Sequence, residues 1–156
     1  MNAARGLLAG LAAGAAGTTA LNAVTYLDMT VRARPASSTP EDTAEKLANA
    51  VGIDIPGDKD DRSNRLSGLG PLLGMAAGLG VGAALGVARS LGFRPNLLVA
   101  GVLTGAGAMV GTDAPMAALG VSDPRTWAAK DWLSDAIPHL VYGLVTAAVV
   151  KGMDRG

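Results

Sequence analysis

The chain has no cysteine and only one histidine among its 156 residues. The first absence excludes a disulfide framework, thiol chemistry and cysteine-ligated zinc or iron–sulfur sites. The second excludes a multi-histidine metal site within one chain. Charge is also scarce: 17% of residues are Asp, Glu, Lys or Arg, against about 25% in soluble domains. A chain so poor in charge is not disordered, and its glycines follow no period of three, which excludes collagen. The formal net charge is zero, and without a basic cluster there is no footprint for nucleic acid. What is abundant is small and apolar. There are 22 glycines, which with alanine make up a third of the chain.

The uncharged residues come in blocks. Residues 6–27, 66–88, 95–112 and 136–150 carry no charge, in runs of 22, 23, 18 and 15 residues. A hydrocarbon core of about 30 Å needs roughly 20 helical residues. The pattern predicts an all-α polytopic membrane protein with four spans, at about 6–27, 69–90, 96–113 and 136–152, in a single membrane domain. The fourth run is short and spans if Asp135 and Lys151 sit among the headgroups. The first run has a rival reading as a signal peptide. It is too long for a typical apolar core of a signal and ends at no clean small-x-small site, so a span is expected.

Four spans place Arg5, Arg89, Arg94, Lys151 and Arg155 on one side with Asp154 alone opposing them, a surplus of four positive charges. The other side carries the matching negative surplus. The positive-inside rule then puts both termini in the cytoplasm, as expected for a multi-pass protein of a bacterial inner membrane.

The long polar loop is 28–65. Within it Thr39-Pro40-Glu41-Asp42 has the form of a helix start: a hydroxyl cap, an early proline and acids in the first turn. A helix is expected over about 40–51, stopped by Gly52, with Ala44, Leu47, Ala48 and Val51 on one face. The acids at 54, 58, 60 and 61 lack calcium-loop spacing, so a solvated loop is expected to Arg65. Ser122-Asp123-Pro124 opens a second short helix, about 124–133, expected to lie flat at the interface with Trp127 and Trp132 as anchors.

Glycine recurs every fourth residue inside the spans: Gly6, Gly10 and Gly14 in the first; Gly70, Gly74, Gly78, Gly82 and Gly86 in the second; Gly101/Gly105 and Gly107/Gly111 in the third. The fourth has Gly143 alone with Ala147. Glycine is a poor helix former in water, but lipid forces the backbone to bond internally. Glycines at i and i+4 then let a second backbone approach closely. The stripes predict glycine-zipper packing, either within the chain or between copies in a homo-oligomer. The implied partners are the lipid bilayer and, through these faces, a second copy or another membrane protein.

Polar residues inside the spans are functional candidates by default. They are Thr18, Thr19, Asn22, Thr25, Thr104, Thr112, Asp113, His139, Tyr142 and Thr146. With both termini inside, Asn22, Asp113, Asp135, His139 and Tyr142 fall near the outer face and form a candidate proton or ion site. Histidine titrates in the physiological range, so a His–Asp pair there suits a pH sensor or proton relay. The competing reading is that Asp113-Ala-Pro115 simply ends a helix at the interface. No nucleophile–base pair assembles around the single histidine and no phosphate loop is present. Neither an enzyme nor a cofactor is expected.

The run Trp132-Leu-Ser-Asp135-Ala-Ile-Pro-His139-Leu-Val-Tyr142-Gly143 resembles the W-x-S-D-x-x-P-H-x-x-Y-G signature of YagU-like small bacterial inner-membrane proteins. The resemblance implies a multi-span inner-membrane protein with a loose link to acid tolerance. It points to Asp135, His139 and Tyr142 and supplies no reaction. The function expected is that of a structural or accessory membrane protein assembling through its glycine stripes. The alternative is a proton- or ion-conducting, or pH-responsive, protein using the Asp/His layer.

Overall fold

The computed structural model describes residues 1–154; Arg155, counted above on the positive side, lies outside them. Five α-helices carry the fold: α1 Ala3–Arg32, α2 Thr39–Ala50, α3 Lys59–Ser90, α4 Leu97–Ala118 and α5 Ala129–Met153. A 3₁₀ turn, Pro124–Thr126, precedes α5, and no strand occurs among the described residues. Four of the helices, α1, α3, α4 and α5, are long and apolar enough to cross a membrane. The protein is an all-α, multi-pass membrane bundle.

The helices are longer than their uncharged cores, and four boundaries differ from expectation. The α3 helix begins at Lys59, because Asp58 accepts from the Asp60 and Asp61 amides and caps it. The stretch expected as loop up to Arg65 therefore adds about two turns outside the membrane. The α4 helix runs through Asp113 and Pro115 to Ala118, so that motif does not end it. The flat helix expected over 124–133 is replaced. Asp123 caps only the 3₁₀ turn, by accepting from Arg125 N. Trp127 and Ala128 are extended, and α5 then runs unbroken from Ala129 through Pro138. The Asp131 carboxylate accepts the Ala128 amide, 3.1 Å, which sets the start of α5 there. The α2 helix starts at Thr39 with Ser38 before it, and the Ser38 hydroxyl donates to Asp42, 3.0 Å. The cap is one residue earlier than read from the sequence.

The four long helices pack antiparallel to their neighbours. The α1–α3 pair meets through glycine: a Cβ added at Gly6 would lie 2.6 Å from the Gly86 carbonyl oxygen, and one at Gly14 would lie 2.5 Å from that of Gly78. Gly10 and Gly82 oppose each other in the same way. A methyl group cannot fit at those separations, so the two backbones are in direct contact. The α5 helix packs on the other side of α1, and α4 packs on α5 through Gly101, Gly105 and Gly143. Between α3 and α4 a cavity of about 240 Å³ opens, with Leu85, Phe93 and Leu103 in its wall.

The remaining striped glycines do not join this packing. A Cβ at Gly74, Gly107 or Gly111 would meet nothing within 4 Å. The stripe drifts about 40° per four residues around its helix, so no straight partner follows all of it. Gly70 packs on Pro40 and Glu41 at the start of α2 rather than on another span. There Ala44, Ile55 and Leu66 form a small extramembrane core with Ala48 at its edge. Leu47 and Val51, expected on the same face, are exposed. Arg62 locks this unit: it donates to Glu45 at 2.8 and 3.1 Å and to the Ile55 carbonyl at 3.1 Å.

The two ends of the bundle differ in chemistry. At one end Asp154 receives Arg89 at 3.0 Å, Arg94 at 3.5 Å and the Met1 amine at 3.7 Å. Met1, Asp154 and the 91–96 turn therefore meet there, as the charge pattern requires. At the other end Asp28 pairs with Arg32 and Arg34, each at 2.6 Å, and Arg32 reaches across to the Ser134 hydroxyl, 2.7 Å.

Candidate functional site

Asp113, Asp135 and His139 come together at the end of the bundle opposite Asp154. The α4 helix carries Asp113, one turn past Met109 and beyond the last glycine contact with α5. The α5 helix carries Asp135 and His139 at i and i+4, which places them one above the other on one face. The His139 Nδ1 lies 3.2 Å from Asp135 Oδ1 and 2.9 Å from the Asp135 carbonyl oxygen. Asp113 faces this pair from α4. Gly105 makes the approach possible, since a Cβ there would lie 2.6 Å from the His139 carbonyl.

Asp113 is 8% exposed, and its Oδ1 has no hydrogen-bond partner. Asp135 Oδ2 is likewise buried without one. A buried polar atom without a partner costs roughly 1–3 kcal/mol, more if charged. Two carboxyl groups and one imidazole in a low-dielectric layer form a set whose proton occupancy is coupled. Each proton taken up or lost changes the charge of the whole cluster. The arrangement can bind, hold and release protons.

The other two predicted residues are not bonded to this cluster. Asn22 is half-buried on α1 and makes no hydrogen bond with the cluster among the described residues. Tyr142 points away from it, into the middle of the bundle. It is 1% exposed, and its hydroxyl donates to the Gly78 carbonyl of α3 across 2.6 Å. Tyr142 lies one turn beyond His139, but that turn rotates its ring from the α4 side to the α1–α3 side. The fully buried Thr146 donates to the Tyr142 carbonyl, 2.7 Å. Gly17 of α1 provides the space for both, and nothing in the i, i+4 stripes marks it.

Trp127 and Trp132 flank the cluster at the same end. Their rings meet edge to face, centroids 5.1 Å apart, and Trp127 Nε1 donates to the Ser122 hydroxyl, 2.8 Å. The pair clamps the extended segment onto the first turn of α5. Asp154, at the other end, is a residue sequence reasoning passed over as a lone opposing acid. The structure makes it the common partner of three cations.

No family model, curated protein or solved structure matches this chain.

Proposed function

We propose that this chain is a small accessory protein of a bacterial cytoplasmic membrane that responds to protons through Asp113, Asp135 and His139. The observation that carries the proposal is the Asp113 carboxyl, buried with a partnerless oxygen against a His–Asp pair on the next helix. With both termini cytoplasmic by the charge rule, the cluster samples the outer face. Arg32 of α1 is held on Ser134, one residue before Asp135, and faces Asp131 of α5. The short run that resembles the YagU-like family contains Asp135 and His139, and the proposal includes that assignment. The close glycine packing of α1, α3, α4 and α5 gives the cluster a rigid frame.

The test uses the two tryptophans beside the cluster. Full-length protein in lipid nanodiscs is titrated from pH 8 to pH 5 and its intrinsic fluorescence followed. A sigmoidal change that vanishes in Asp113→Asn and in His139→Gln supports the proposal. A flat profile in the unmodified protein, or one unaltered by both substitutions, refutes it.

A second reading rests on Gly74, Gly107 and Gly111, where an added Cβ would meet nothing within 4 Å among the described residues. Such open glycines on membrane-facing helices suit close packing with a second copy. Gly107→Leu then lowers the oligomer fraction seen by native mass spectrometry, while the fold is unchanged. An unaltered fraction removes this reading.

A further inference from the structure

The Asp154 end of the bundle has a groove that the proton cluster does not use. Arg5, Leu8 and Ala9 of α1 and Gly152 and Met153 of α5 enclose about 310 Å³ there. Arg5 is in the first turn of α1 and exposed, so it stands at the level where a span meets the headgroups. One of its guanidinium nitrogens reaches the Met153 carbonyl, 3.4 Å. That contact brings the side chain to the groove, and among the described residues its other N–H donors have no partner. The acid at this end does not compete for them, because Asp154 is engaged by Arg89, Arg94 and the Met1 amine. The inner floor is apolar, formed by Leu8, Ala9 and Met153. Gly152 keeps it open, since a Cβ there would touch nothing within 4 Å.

We infer that this groove binds one anionic phospholipid, its phosphate on Arg5 beside Met153 and the start of an acyl chain along Leu8. The occupant follows from two features together. A guanidinium with free donors at the basic end of the protein selects a phosphate anion. Leu8 and Ala9, one turn from Arg5 along α1 toward the membrane interior, suit the start of a hydrocarbon chain attached to that phosphate, which a free anion lacks. Basic pockets between spans on the positively charged side are where anionic headgroups bind.

The experiment is native mass spectrometry of the full-length protein, transferred from vesicles of phosphatidylcholine with 20% phosphatidylglycerol, counting lipid retained at rising collision energy. The unmodified protein is expected to keep one phosphatidylglycerol and no phosphatidylcholine. Loss of a charge-assisted phosphate contact corresponds to about a tenfold weaker retention in Arg5→Gln. Gly152→Leu, which fills the groove from a position with free space, is expected to show the same loss with Arg5 intact. Lys151→Gln, at the same end but not lining the groove, is expected to retain lipid as the unmodified protein does. Far-UV circular dichroism and thermal midpoints check that each variant is folded. Equal retention of both lipids, equal loss in Lys151→Gln, full retention in Gly152→Leu, or displacement by millimolar inorganic phosphate each overturn the inference.

Discussion

The Tyr142 hydroxyl donates to the Gly78 carbonyl across 2.6 Å at the centre of the bundle, which ties α5 to α3 through the space left by Gly17 of α1. The bond joins a side chain to a helical carbonyl in a region where the other interhelical contacts are van der Waals. Tyr142→Phe keeps the ring and deletes the bond. It should lower stability by about 1 kcal/mol, near the typical net worth of a hydrogen bond. Reversible unfolding in mixed micelles measures this, and a loss below about 0.3 kcal/mol would show that the bond is not a tie.

The glycines fall into two populations, and a matched pair of alanine substitutions separates them. A Cβ at Gly82 would lie 2.5 Å from the Gly10 carbonyl oxygen and 2.6 Å from the Gly14 Cα, both backbone atoms. Gly82→Ala should therefore force α1 and α3 apart at a cost of about 1–3 kcal/mol. Gly107 has open space around it, so Gly107→Ala should be neutral or should stabilise by up to about 1 kcal/mol through helix propensity. The same unfolding assay distinguishes them, and equal effects would contradict the register described for α1 and α3.

The four-span bundle was legible in the sequence because lipid leaves the backbone little choice. Uncharged runs of the right length must be helices. Which glycine meets which was not legible, since four similar stripes offer many pairings and only side-chain volumes such as those of Tyr142 and Leu144 choose among them. The same limit applies to the candidate site. Depth along each span brought Asp113, Asp135 and His139 to one layer, as found. Depth says nothing about rotation, and rotation sends Tyr142 inward. The helix ends beyond the membrane depended on single capping groups, Asp58 and Asp131, which composition does not reveal.

Arg62 joins α2 to α3 through Glu45 and the Ile55 carbonyl. The exposed ion pair itself contributes little, about 0.5 kcal/mol, yet the small core of Ala44, Ile55 and Leu66 depends on the docking it fixes. Arg62→Ala should raise amide exchange across Thr39–Ala50 by about an order of magnitude while leaving the four spans protected. Unchanged exchange in α2 would mean that the apolar contacts suffice.

Asp154 gives a pH dependence outside the spans. Burial pushes its carboxyl up, but Arg94, Arg89 and the Met1 amine outweigh that and hold it below the ordinary value of 3.8. A carboxyl lowered on folding contributes stability above its unfolded value and loses it as pH falls through the folded one. The clamp between the chain ends should therefore persist at pH 5 and release only below the ordinary carboxylate range. Amide exchange at Arg89–Arg94 measured from pH 5 down to pH 2.5, corrected for intrinsic rates, tests this. Asp154→Asn should show the released state already at pH 5.

The central claim is that Asp113, Asp135 and His139 form one proton-binding unit. The chain contains a single histidine, so selective ¹⁵N-histidine labelling reports this site alone. In nanodiscs near neutral pH, the imidazole of His139 is expected to show Nδ1 as the hydrogen-bonded donor, as its 2.9 Å contact with the Asp135 carbonyl requires. Its titration curve is expected to change when Asp113 is replaced by Asn, because proton occupancy in groups held this close is shared among them. A curve identical in the two proteins would show that α4 and α5 titrate independently, and the proposed proton-responsive unit would not exist.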